Sequence, residues 1–424
     1  MGQNIRKKGS SILLNIQVGM NRISRKICAL LFIVAVTGIH PLFGQSETKE
    51  IQDSTLNQQH DVVDFIQKGT HANLRKDNLS AKGKGPFVSV MPVVGYSLQS
   101  GLTGAIVSNT SFYTDEKRER FSNFLVNAYY SQFHQYWFTA NSNIFLEKQK
   151  LHFFGDIRYY NFPTQTFGFG TKSTMAEALN IKYSYLRIYQ YLFRELSSNL
   201  FAGVGFNFDH HWNIRPDSIP GRVLNDLKKY QKEDHSTSAG ISLNVQYDSR
   251  KNSVNPQGGS YAYFQFRPNL TLLGSESNWQ SVMIDLRHYV HFPASSKNVL
   301  AFWNYNNFTT RGTPPYLDIP SVGWDYYSNT GRGYIPGRYT GRNFIYLESE
   351  YRFAISRDGF LGGVLFGNEE AFFKNWSDKK TPTPGGGVGL RIKINKLSNT
   401  TLAIDYGWGV EGSHGFFFNL GEVF

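Results

Sequence analysis

ISLNVQYD, residues 241–248, decides the fold of this chain. Ile241, Leu243, Val245 and Tyr247 share one face of an extended segment, while Ser242, Asn244, Gln246 and Asp248 share the other. Successive side chains of a strand point to opposite faces, so the segment has one apolar and one hydrophilic side. TLAIDYGWG, residues 401–409, repeats the pattern: Leu402, Ile404, Tyr406 and Trp408 lie opposite Ala403, Asp405 and Gly407. In a soluble sandwich such an apolar face packs on a second sheet, whereas in a membrane barrel it meets lipid. Asn, Gln, Asp, Glu and Arg on the second face favour the barrel, because they suit a water-lined bore.

About sixteen segments of this kind follow one another from Pro86 to the end of the sequence. An even count is what a bacterial single-chain barrel has. Their connections alternate between two classes. TDEKRER, EKQK, RELSSN and NKLSN are short and polar, as periplasmic turns are, whereas residues 161–180, 210–235 and 312–342 are long enough for surface loops. No apolar stretch after residue 45 approaches the roughly 20 residues of a spanning helix. Composition agrees: aromatics make up 16%, with 25 Tyr and 34 Phe, while mean hydropathy stays at −0.37. Strands that alternate apolar-out and polar-in between aromatic girdles produce that combination. The expected fold is all-β, a 16-stranded antiparallel transmembrane β-barrel over residues 86–424.

The net charge of +12 includes six basic side chains in residues 1–44, which hold no acid; the remainder has 38 basic and 32 acidic residues, or +6. So mild an excess argues against nucleic acid as a partner. Residues 1–44 read as a secretory signal, with Met20 as an alternative start: a basic beginning, an apolar run from Ile27 to Ile39, and Gly44 before Gln45. The only cysteine, Cys28, lies in that run, so the exported chain has neither disulfides nor thiolate chemistry. Residues 45–85 are polar and read as a periplasmic linker, with one short amphipathic helix over 61–73.

Four local patterns extend the reading. SNTGRGYIPGRYTGRN (328–343) contains Gly331-Arg332-Gly333-Tyr334; NFIYLESEYRF (343–353) spaces Glu350 and Arg352 as Glu-x-Arg; DSRKNSVNPQGG (248–259) carries Asp248, Arg250, Pro256 and Gly258; and GGGVGLRIKI, AIDYGWG and FFFNLGEVF end on Phe424. In this order, the chain resembles the BamA/TamA family of bacterial outer-membrane proteins, also called the bacterial surface antigen family. The resemblance implies a sixth surface loop folded into the bore, its Arg332 pairing with carboxylates on strands twelve and thirteen. Phe344, Tyr346, Glu348, Glu350 and Arg352 share one strand face, so both carboxylates point inward. A guanidinium engages carboxylates with fixed geometry, and glycines beside it permit close approach. The expected loop latch is therefore Arg332, Gly333 and Tyr334 with Glu348, Glu350 and Asn368. Asn368 stands where the family usually has aspartate, which keeps an acceptor but removes the charge, so the latch is expected to rely on Glu350 or Glu348.

Relatives usually carry periplasmic POTRA domains, and residues 45–85 are too few for one. Pro92, in the first strand, removes a ladder donor; it is compatible with an ordinary bulge or with a weak seam between first and last strands. Gly421 weakens local packing in the final strand, so Pro92, Gly421 and Phe424 are the expected seam residues. The other motifs carry little. FGFGTKST (167–174) lacks phosphate-loop order, and YIPGRYTGR (334–342) has Pro336 where a dinucleotide fingerprint needs glycine. His210-His211 beside Asp209 reads as an interfacial pair rather than a metal site, and no Ser, His and Asp trio is selected. The favoured function is outer-membrane assembly or translocation through a weak seam, with no enzyme activity, cofactor, metal or catalytic residue. Expected partners are outer-membrane lipid and lipopolysaccharide, and proteins supplying the POTRA function. The alternative is a passive channel or structural barrel.

Overall fold

The computed structural model describes residues 59–62, 64–65, 87–97, 100–112, 114, 122–146, 150–217, 221–231, 233–325, 328–396 and 399–424. The expected signal, residues 1–44, and most of the expected linker lie outside them.

Sixteen antiparallel strands form the wall. They begin with β1 (Phe87–Ser97), β2 (Gly101–Phe112), β3 (Ser122–Ser131), β4 (Tyr136–Leu146) and β5 (Leu151–Asn161). A three-residue strand, β6 (Thr164–Thr166), adds to the outer end of β7 (Leu179–Ser197) and is not part of the wall. The wall continues with β8 (Leu200–Pro216), β9 (Ser236–Asp248), β10 (Gly259–Asn269), β11 (Trp279–His291) and β12 (Val299–Arg311). It ends with β13 (Asn343–Ala354), β14 (Leu361–Phe373), β15 (Thr383–Asn395), β16 (Thr400–Gly409) and β17 (His414–Leu420). Each wall strand pairs with the next, as β13 does with β14 through Glu348 opposite Asn368.

Burial runs opposite to that of a soluble protein. In β9, Ile241, Leu243, Val245 and Tyr247 are exposed, while Ser242 and Asn244 are buried. In β13, Leu347 is 49% exposed and its neighbours Tyr346 and Glu348 are 0% and 4% exposed. Large exposed apolar side chains recur on nearly every wall strand. So continuous an apolar band is unfavourable in water and marks the face that meets lipid.

The bore is not uniformly hydrophilic, and here the water-lined expectation needs correction. Tyr289, Trp303, Tyr305, Phe344, Tyr346 and Phe372 turn inward from β11–β14 into one buried cluster with Val322, Tyr334, Tyr339, Val423 and Phe424. The chain packs this side of its own bore.

A second difference lies in the outer connection after β8. A helix, α1 (Arg222–Tyr230), stands where loop was expected, because Val223, Leu224 and Leu227 make an apolar face. That face packs on Leu179, Ile181, Ile214, Tyr316 and Leu317.

The ring has one break. β1 and β17 are the sheet's two edges, and no ladder joins them among the described residues.

Candidate functional site: the luminal loop and the seam

Residues 328–342 enter the bore from the rim of long loops. Gly331 and Gly333 adopt positive φ, +77° and +110°, which glycine alone takes without strain. At Gly333 there is also no room for a side chain: a Cβ would stand 2.8 Å from the Trp408 carbonyl carbon. The backbone thus lies flat on β16, and Ser413 Oγ, in the turn that follows, donates to the Gly333 carbonyl at 2.7 Å. Tyr334 reaches across to β15, its hydroxyl donating to the Pro384 carbonyl at 2.5 Å and accepting the Val410 N–H at 3.1 Å.

Between the two glycines, Arg332 is 2% exposed and meets three carboxylates. Its guanidinium donates to Asp405 Oδ2 at 2.6 Å, and to Glu348 and Glu350. It also lies 3.7 Å above the Phe366 ring. The structure brings Glu348 and Glu350 together at Arg332, and it adds Asp405, which the sequence reading placed on an inward face without assigning it. Asn368 does not act as a weakened acceptor. Its amide Nδ2 donates to the Arg332 carbonyl at 2.9 Å, a bond that an ionised aspartate has no proton to make.

Two further arginines enlarge the network. Arg391 donates to Asp405 at 2.5 Å and to Glu422 at 2.7 Å, and Arg352 donates to Glu350 at 2.6 Å. All these side chains are less than 9% exposed. A buried ion pair adds little net stability, yet losing one partner leaves the other charge stranded, at a cost of about 3–5 kcal/mol. The network therefore fixes where the loop sits more than it adds to total stability.

Arg338, read only as part of a failed nucleotide motif, is a second anchor nearer the outer rim. It donates to the Ser173 hydroxyl at 2.7 Å and to Glu411 at 2.6 Å. Ser173 lies in the outer connection before β7, and Glu411 in the turn joining β16 to β17. Its head also covers the Tyr339 ring at 4.4 Å.

The expected seam residues divide. Pro92 faces outward in β1, and the β1–β2 register runs unbroken through Pro92 opposite Ile106, so there is no bulge. Gly421, at φ +91°, turns the chain inward after β17. Phe424 consequently stands inside the bore, not at the seam. Its ring centroid is 5.2 Å from that of Trp303, and its carbonyl accepts Arg352 Nη2 at 3.0 Å.

The inner turn after β9 joins the same assembly. Arg250 forks onto Asp248 with two bonds of 2.9 Å and lies 4.5 Å above Tyr261. The Pro256 carbonyl accepts Arg352 at 3.4 Å, and the Val254 carbonyl accepts the Glu422 N–H at 2.8 Å. Gly258 has open space where its side chain would be, and the positive φ of the turn falls on Gly259. Asn329, in the loop, donates to the Val423 carbonyl at 2.7 Å. Loop, tail and inner turn are one connected body.

The expected interfacial pair divides, because His211 is 3% exposed and turns into the bore while His210 is half-buried on the opposite face. His211 stacks on Tyr185 at 4.3 Å, and His210 shares a hydrogen bond with Thr237 at 2.9 Å.

An inward arginine loop on the late strands, with one unpaired joint, is the arrangement that the family resemblance implies. The family model described as the Omp85 superfamily domain matches residues 115–424. The chain belongs to the Omp85 superfamily. Among solved structures, it is similar to BamA from Haemophilus ducreyi lacking POTRA domains 1–3, at 14% identity and TM-score 0.55, covering 87% of this chain and 80% of that one. CdiB from Acinetobacter baumannii matches at 14% identity and TM-score 0.51, over 80% of this chain and 60% of its own. CdiB from Escherichia coli matches at 11% and 0.54, over 80% and 62%. These likenesses concern the fold. None of the curated proteins matches the chain. As an Omp85 barrel it falls within the BamA/TamA resemblance drawn from its sequence.

Proposed function

We propose that this Omp85 barrel is an outer-membrane assembly or translocation factor that handles extended polypeptide at the β1–β17 joint. One observation carries the reading: two strand edges stand side by side without a ladder. An unpaired edge offers a row of backbone donors and acceptors to any incoming strand. Entry there requires no ladder to be broken first, and no covalent chemistry or cofactor. The packing on the β11–β16 side makes the passive channel the weaker reading, since residues 328–342 and 421–424 narrow the bore there. Lipid and lipopolysaccharide surround such a barrel, and a periplasmic protein delivers its substrate.

The test is a lock. Cysteines at Val88, Val90 or Val94 in β1 are paired with cysteines at Phe416, Phe418 or Leu420 in β17, and the pairs that oxidise are kept. Oxidised protein in liposomes should fail to insert a reporter barrel and should recover on reduction. Undiminished insertion by the locked form removes the seam from the mechanism.

A further inference from the structure

The role of the segment before the barrel is open on the reading above, and its described part is well placed. Residues 59–62 and 64–65 lie against the inner turn 355–360 and Lys396, at the inner end of β15. Asp61 and Asp64 cap one another: the Asp61 N–H donates to Asp64 Oδ2 at 3.0 Å, and the Asp64 N–H to Asp61 Oδ1 at 2.9 Å. Such a reciprocal pair holds a helical turn closed at its start. Both carboxylates face Lys396.

Lys396 meets the segment at several points. Its backbone N–H donates to Asp61 Oδ2 at 2.8 Å, and its ammonium group donates to Asp64 Oδ2 at 3.0 Å and to the Gln59 carbonyl at 3.1 Å. At the neighbouring turn, His60 Nδ1 lies 3.2 Å from Asp358 Oδ2, and the Phe65 and Phe360 ring centroids are 4.7 Å apart. Asp61 is fully buried and Val62 is 5% exposed. A free tether would leave these groups in water.

We infer that the rim formed by Asp358, Phe360 and Lys396 is a receptor for a His-acidic-x-x-acidic-aromatic segment, occupied in cis by residues 59–62 and 64–65. Its chemistry is charge-assisted hydrogen bonding to one lysine plus one ring contact, which suits a clasp that can open. The Lys396–Asp64 pair is 15% and 20% exposed, so salt weakens it. Position gives it consequence. Turn 355–360 follows β13, which holds Glu348 and Glu350, and Lys396 lies between β15 and β16, which hold Arg391 and Asp405. The clasp therefore braces from the inner rim the same strands that Arg332 braces from within. It stands or falls independently of what the barrel transports.

Disulfide trapping in the full-length chain, with Cys28→Ser, tests it. Phe65→Cys with Phe360→Cys should oxidise readily at low salt, and Phe65→Cys with Ser295→Cys, on the inner turn 292–298, should not. Lys396→Glu should slow trapping at Phe360→Cys about tenfold, the equivalent of 1.4 kcal/mol. Lys396→Arg, which keeps the charge, should trap at close to the unsubstituted rate, and each variant's folded band is checked on unheated gels. Equal trapping at the two turns, no slowing by Lys396→Glu, or equal slowing by Lys396→Arg would each overturn the clasp.

Discussion

The two edges of the seam are held by different chemistry. Inward from β17 stand Arg332, Arg352 and Arg391 against Glu348, Glu350, Asp405 and Glu422, with aromatic packing beside them. Inward from β2–β4, the described buried side chains carry no charge, Thr103, Asn109, Leu125, Asn127 and Phe145 among them. Loop 328–342 and tail 421–424 bond to the first group, through Arg332 to Asp405 and through Phe424 to Arg352. The late strands are tied to a body inside the bore, whereas β2–β4 show no such charged ties among the described residues; charge returns on β5–β10 with Asp156, Arg187, Asp209 and Arg267. Under the proposed function, β1 is the edge that moves, and the β17 side is the frame it moves against.

Removing the centre of that frame should have the largest effect. Arg332→Ala leaves three buried carboxylates facing each other, so a loss of about 3–5 kcal/mol is expected. Lys in its place restores one charge without the fork and should recover only part. Asn127→Ala, which breaks a 3.0 Å bond to Thr139 between β3 and β4, should cost about 1 kcal/mol. The readout is urea unfolding in detergent, followed by the shift between folded and unfolded bands. Equal losses at Arg332 and Asn127 would abolish the contrast between the late strands and β2–β4.

Glu370 should move stability in the opposite direction. It is 1% exposed on the luminal face of β14, and neither carboxylate oxygen has a hydrogen-bond partner. Gly331 lies against it, with a built Cβ there 3.1 Å from Oε2. An unpaired buried carboxyl is costly, so Glu370→Gln, which keeps the shape, should stabilise the frame by about 1 kcal/mol or more. Loss of stability would mean that the carboxyl does work at the loop that its surroundings do not reveal.

Much of the barrel was legible because each strand carries its own signal. ISLNVQYD shows lipid and lumen faces within eight residues, and turn lengths distinguish the rims. The Arg332 loop was also legible, since glycines around one arginine stand out among aromatics. Asp405, Arg391 and Glu422 were not selected, because every strand places polar residues inward and only proximity in space ranks them. Arg338 was compared with a nucleotide motif and not with the carboxylate 73 residues away. The inward turn of Phe424 depends on Gly421 meeting Val254, and the open joint on two strands more than 300 residues apart. Such facts belong to pairs of distant residues, and period-two reading is blind to them.

The smallest expected effect lies at the outer rim, where the contrast fades into ordinary surface chemistry. Arg222 of α1 forks onto Glu177 with bonds of 3.0 and 2.9 Å. That fork, and next the Thr174 N–H, hold the Glu177 carboxyl down at about 2. A depressed carboxyl contributes stability above its unfolded value, near 4.5, and loses the contribution as pH falls toward 2. Both partners are well solvated, with side-chain exposures of 46% and 31%, so the pair is worth less than about 1 kcal/mol. Glu177→Gln should accordingly speed hydrogen exchange of the α1 amides no more than about fivefold at pH 6, after correction for intrinsic rates. At pH 2 the difference should shrink strongly, since the wild-type carboxyl is then about half protonated and most of its contribution is lost. A difference undiminished at pH 2 would assign the α1 contact to Val223, Leu224 and Leu227 packing rather than to charge.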